Sequence, residues 1–217
     1  MNQTQQEIRV IFWDWNGTLL DDVRVCMAAM NEMLSRRQKP LLTLEHYREV
    51  FTFPVIEYYR KIGWDLEVES WDSLAFEFID LYLKDLPRAP LHRNARASLN
   101  YLADKGYRQV ILSAMEQNAL SNSVRQKGIH PFFDRIAGID DHFAYSKVKI
   151  AQKAIRELDV SPAEVCLIGD TLHDLEVANQ MDCKCILVAA GHQSLHRLAQ
   201  RHNRVINDLS ELRDCFD

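Results

Sequence analysis

At 217 residues, with 47% apolar and 26% charged residues, the chain has globular composition and length for one large domain or a core with a smaller companion. A net charge of −5 argues against nucleic acid or an anionic membrane as partner, but a local cradle can still bind a small phosphorylated ligand. No apolar run approaches the ~20 residues of a membrane span, MNQTQQE shows no signal-peptide pattern, and five scattered cysteines have no zinc spacing, so a cytoplasmic location is expected.

In chain order, the first element is the apolar run Ile8 to Asp14, IRVIFWD, which reads as a buried strand ending on a carboxylate. Trp15-Asn16-Gly17-Thr18 follows as a turn. Residues 21–87 then contain no convincing strand. Val23, Met27, Met30 and Leu34 form one helical stripe, and Trp71, Leu74, Phe78, Leu81 and Tyr82 another. Pro40 and Pro54 interrupt helical stretches, and Pro87 and Pro90 close the segment. Beyond it come a strand at Gln109–Ser113, a helix over VKIAQKAIREL, a strand at Val165–Asp170 and a helix over HDLEVANQM. A strand at Cys185–Ala190 and a short one at Val205-Ile206 complete the series. This rhythm predicts an α/β fold, a doubly wound parallel sheet of Rossmann-like type built from residues 1–20 and 88–217. Residues 21–87 are read as an inserted all-helical domain.

In such sheets the carboxyl ends of the strands line the ligand crevice. Asp14, Ser113 and Asp170 would therefore converge at one edge. Asp170 is the second residue of GDTLHD, residues 169–174, where Asp174 lies four positions on, at a spacing that lets both carboxylates face the crevice if a helix starts near Thr171. Three clustered carboxylates repel unless a cation sits among them, and hard oxygen ligands suit Mg²⁺. Taken singly, Asp170 or Thr171 would be an ordinary helix cap.

These motifs resemble those of the haloacid dehalogenase superfamily. DWNGT is similar to its first motif, Asp-x-Asp-Gly-Thr, and GDTLHD to its fourth, Gly-Asp-x-x-x-Asp. Ser113 in VILSA matches the second-motif Ser/Thr, and Lys147 in YSKVKIAQKAI the third-motif lysine, with Lys149 as rival. The helical insertion resembles the cap of the phosphoglycolate-phosphatase-like branch. The resemblance implies a phosphatase in which Asp14 is the nucleophile, forming an aspartyl-phosphate. Mg²⁺ would be held by Asp14, the backbone carbonyl of Asn16, Asp170 and Asp174. Ser113, Ala114, Lys147 and Thr18 would hold the phosphorylated substrate, Thr18 by fixing the loop after the nucleophile, and Trp15 would pack or line the cap interface.

Asn16 stands where the family's phosphatases carry the aspartate that protonates the leaving group, and an amide is neither acid nor base near neutral pH. A positioned acid-base is worth ~10²–10⁴-fold, so the cost falls on alkyl phosphates more than on acyl or aryl phosphates. Three readings follow: a phosphatase whose proton comes from His173, His192, Asp21 or Asp22; a relative that binds a phosphorylated ligand or protein partner without hydrolysing it; and an altered chemistry on the same fold. Asn16-Gly17 is also a deamidation-prone pair, which would recreate a carboxylate.

Overall fold

The computed structural model describes residues 7–139 and 147–217. Residues 1–6 of the predicted core, and Tyr145-Ser146 ahead of Lys147, lie outside the described residues. Six strands form one sheet: β1 (Val10–Trp13), β2 (Arg108–Glu116), β3 (Arg135–Ile139), β4 (Val165–Gly169), β5 (Lys184–Val188) and β6 (Val205–Ile206). Every pairing is parallel, in the order β3-β2-β1-β4-β5-β6. The order reverses between β1 and β4, the position at which doubly wound sheets bind ligands.

Between β1 and the next sheet residues lie helices α1 (Val23–Arg36), α2 (Leu44–Val50), α3 (Val55–Lys61) and α4 (Trp71–Asp85). Both predicted stripes are there: Val23, Met30, Leu34 and Leu74 are buried in a cluster with Tyr47, Tyr58, Tyr59 and Trp64. The chain leaves and re-enters the sheet region at neighbouring points. Asp21 N–H donates to Pro90 O at 2.8 Å, His92 N–H donates to Leu19 O at 2.9 Å, and Leu20 pairs antiparallel with Leu91.

The remaining helices that cover the sheet are α5 (Ala95–Asp104), α6 (Gln117–Gln126), α7 (Lys147–Leu158) and α8 (Leu172–Met181). Ile11 and Trp13 pack with Ile111, Ile168 and residues of α5 and α6, whereas Val10 and Phe12 pack with Val110, Leu167 and residues of α7 and α8. Successive β1 side chains thus enter opposite, equally dry layers, which is why the run is continuously apolar. Among the described residues no helix is long and apolar enough to cross a membrane.

Several details differ from the sequence reading. β3 was not anticipated. β2 continues past Ser113 to Glu116, with its register against β3 shifting between Leu112 and Glu116, so Ser113 sits at a break in the ladder and not at a strand end. Lys147 is the first residue of α7, not a residue preceding it.

Candidate active site

Asp14 and Asp170 each follow a strand by one residue, and the two strands are neighbours, with Trp13 paired to Ile168. Asp14 N–H donates to Ile168 O at 2.8 Å, extending the ladder by one rung and fixing where its carboxylate starts. Asp174 lies in the first turn of α8, where its carboxylate accepts from the backbone N–H of Thr171 at 3.1 Å and from its hydroxyl at 2.7 Å. The cap anticipated from Thr171 is therefore present, and it orients Asp174 into the site. Lys147 Nζ donates to Asp174 Oδ1 at 2.5 Å and also to Asp14 Oδ1. The Thr18 hydroxyl spans the pair, 3.4 Å from Asp14 Oδ2 and 3.2 Å from Asp170 Oδ1. Thr18 is fully buried.

Oxygens of Asp14, Asp170 and Asp174 lie within 4.8 Å of one another, and all three residues are buried. Burial pushes the Asp14 carboxyl up to about 8, helped by Asp174 and Asp170 and resisted by Lys147. Burial likewise pushes Asp170 up to about 6, against the pull of the His192 charge. For Asp174 burial acts upward, but Lys147 prevails and holds the carboxyl low. Lys147 is itself held charged, because Asp14 and Asp174 outweigh its own burial. One ammonium among three buried carboxylates leaves excess negative charge, and an all-oxygen donor set fits a hard divalent cation.

Gly17 and Gly191 make this crowding feasible. Gly17 has φ +75°, and a Cβ there would run into the Asp170 carboxylate and the His192 ring; one on Gly191 would meet the same carboxylate. His192 N–H donates to Asp170 Oδ2 at 2.6 Å. Ser113 is buried one strand over, its hydroxyl accepting from Met115 N–H at 3.1 Å, and Ala114 beside it is exposed. Lys149 points outward from α7, so Lys147 is the lysine at the carboxylates. Trp15 is buried in the core, and its Nε1 has no partner among the described residues.

Asn16 is tied into a network that the sequence reading did not foresee. Its Nδ2 donates to Asp22 Oδ2 at 2.9 Å and lies 2.7 Å from the Tyr82 hydroxyl. Asp22 also accepts from Tyr82 Oη at 2.7 Å and from Gly17 N–H at 2.8 Å, and His192 Nε2 stands 3.3 Å from its Oδ1. On Asp22, burial acts upward but the His192 charge and the donors prevail, bringing the carboxyl down to about 2. His192 is pushed the other way: burial opposes its charge, yet Asp22 and Asp170 raise it to about 9. Gly17 N–H is engaged by Asp22 and by Leu20 O at 2.9 Å, which opposes the backbone attack that deamidation of Asn16 requires. Tyr47 Oη contacts His192 Nδ1 at 2.7 Å, so α2 and α4 each send a tyrosine to this point. Those tyrosines lie 31 and 66 residues from Asn16, and no local motif marks them.

Of the other proton-donor candidates, His173 makes no hydrogen bond to Asp14, Asp170 or Asp174 among the described residues. Its ring stacks on Phe53 at 4.7 Å and its Nδ1 lies 3.5 Å from Glu176. The loop carrying His192 is further fastened to the helical segment: Arg48 donates to Gly191 O at 2.9 Å and Ala190 O at 2.7 Å, and Gln193 Nε2 to Phe51 O at 3.1 Å.

A family model described as haloacid dehalogenase-like hydrolase matches residues 10–188. A phosphoglycolate phosphatase of Neisseria gonorrhoeae is 23% identical over 98% of this chain and 94% of its own length. Among solved structures, a haloacid dehalogenase-like family hydrolase from Streptococcus pneumoniae superposes with a TM-score of 0.84 at 19% identity, covering 97% of this chain and 99% of the other. CbbY from Rhodobacter sphaeroides, solved in complex with phosphate, gives 0.72 at 21% identity, covering 94% and 96%.

Proposed function

This chain belongs to the haloacid dehalogenase-like hydrolase family, and from that premise we propose that it is a Mg²⁺-dependent hydrolase of small phosphomonoesters, working in the cytoplasm. The observation that carries the reading is the buried cluster of Asp14, Asp170 and Asp174 around Lys147, at the point where the sheet order reverses. In this reading an Asp14 oxygen attacks phosphorus, the bond from phosphorus to the leaving oxygen breaks, and water later releases phosphate from the aspartyl-phosphate. Lys147, Ser113 and Ala114 hold the phosphoryl oxygens, while Thr18 keeps Asp14 and Asp170 at fixed separation. Asp14, Asp170, Asp174 and the carbonyl of Asn16 would hold Mg²⁺, which when bound supplies charge neutralisation for the transferring phosphoryl group. Residues 21–87 act as a cap that excludes water and chooses the leaving group.

Asn16 sets the preference among substrates. With its amide committed to Asp22 and Tyr82, leaving groups that need little protonation react fastest. The test compares wild type and Asp14→Asn with Mg²⁺ on acetyl phosphate, p-nitrophenyl phosphate and 2-phosphoglycolate, the last suggested by the relatives. Wild type turns over, and Asp14→Asn falls to background. Inert wild type on all three removes the hydrolase reading, and an active Asp14→Asn removes Asp14 as nucleophile.

A further inference from the structure

Beside the oxygen-only cluster lies a second group of donors with different chemistry. Asp22, Cys26 and His192 each offer one ligand atom, and these atoms lie within 4.8 Å of one another. Asp22 and Cys26 are one helical turn apart at the start of α1, while His192 comes from the loop after β5. His192 Nε2 is 3.3 Å from one Asp22 oxygen, and Cys26 Sγ is 3.6 Å from the other. The imidazole and the thiol thus approach the Asp22 carboxylate from its two oxygens, and the three side chains bring oxygen, nitrogen and sulfur donors, the types zinc takes, to one buried point. His192 Nδ1 is occupied by Tyr47 Oη at 2.7 Å, which turns Nε2 toward the group, as partners of metal-binding histidines do.

We propose that Asp22, Cys26 and His192 form a second cation site, selective for a thiophilic divalent ion such as Zn²⁺ and separate from the carboxylate cluster. Thiolate and imidazole donors favour zinc over magnesium, whereas the three-carboxylate cluster favours the reverse. As the ion binds, the thiol and imidazolium protons leave to solvent. Occupancy ties α1 to the loop carrying Gly191 and His192.

The test uses the full chain saturated with Mg²⁺ and titrated with Co²⁺. A sulfur-to-cobalt charge-transfer band is expected at one equivalent, to be displaced by Zn²⁺, and to be lost in Cys26→Ser. Competition with a chromophoric chelator should show Cys26→Ser weakening Zn²⁺ by on the order of 100-fold or more, beyond the ~10–100-fold typical of losing an orienting partner. Tyr47→Phe, which keeps all three ligands, should weaken Zn²⁺ within that smaller range and retain the band. Absence of the band in wild type overturns the site, as does a band that survives in Cys26→Ser. Zn²⁺ should also slow Mg²⁺-dependent turnover in wild type and not in Cys26→Ser; that arm rests on the hydrolase reading, whereas the cobalt band does not.

Discussion

Replacing Asn16 with aspartate restores the family motif on paper, and the structure says it installs a conflict. Asn16 Nδ2 lies 2.9 Å from Asp22 Oδ2, so Asn16→Asp turns a donor–acceptor contact into two facing carboxylates. At ~4 Å between charge centres and an effective dielectric of ~20, the repulsion is about 4 kcal/mol. The His192 imidazolium beside Asp22 offsets part of this, leaving about 2–3 kcal/mol, the equivalent of roughly two pKa units. The pair escapes by sharing a proton, so its folded pKa lies above the unfolded carboxylate value. Stability is then intact below about pH 4 and is lost as pH rises through the folded value. Urea unfolding in EDTA, followed by circular dichroism, should show Asn16→Asp close to wild type at pH 4.5 and weaker by about 2 kcal/mol or more at pH 8. Adding Asp22→Asn to the variant restores a donor and most of the loss. An Asn16→Asp protein as stable as wild type at both pH values would refute the argument, as would a double variant no better than the single.

Lys147→Gln leaves Asp14 and Asp174 buried without their shared cation, which should cost about 3–5 kcal/mol in denaturant titrations without Mg²⁺; a loss under 1 kcal/mol would contradict the ion pairs described. In metal-free protein, Asp170, Asp14 and His192 all have folded pKa values raised, to about 6, 8 and 9. Each therefore contributes stability that is complete below its unfolded value and is lost as pH climbs to its folded value, so stability declines from about pH 4 to pH 9. Mg²⁺ should raise the melting temperature more at pH 8 than at pH 6, and an equal shift at both, read by scanning fluorimetry, would speak against carboxylate ligation. Among substrates, kcat/KM for acetyl phosphate should exceed that for 2-phosphoglycolate by ~10²-fold or more, and equal values would mean that a proton donor other than residue 16 is fully effective.

What the sequence disclosed follows from how each feature is encoded. β1 and β4 were legible because both faces are dry, and Asp14 and Asp170 because each stands one residue beyond such a run. β3 escaped notice because RIAGI is short, carries Arg135 and Gly138, and lies at the sheet edge where part of it is exposed. Cys185–Ala190 was drawn two residues too long, since Ala189 and Ala190 are apolar but already belong to the turn before Gly191. The ground for preferring Lys147 over Lys149, a place ahead of the helix, does not hold, since Lys147 opens α7, and the Asn16–Asp22–Tyr82–His192 network could not be foreseen. Its members come from four separate segments, and a tyrosine hydroxyl that reaches a distant carboxylate has no periodicity to betray it.

The paired connections at Leu20 and Leu91 carry one more implication. Because the chain departs and returns through adjacent, mutually bonded positions, the rung that carries Asp14 is set by the strands of the sheet and not by what lies between Leu20 and Leu91. The loop just beyond that rung is held differently, since Asp22 and Tyr82 from the inserted segment grip Gly17 and Asn16. Exchanging the segment would keep the rung and release the loop.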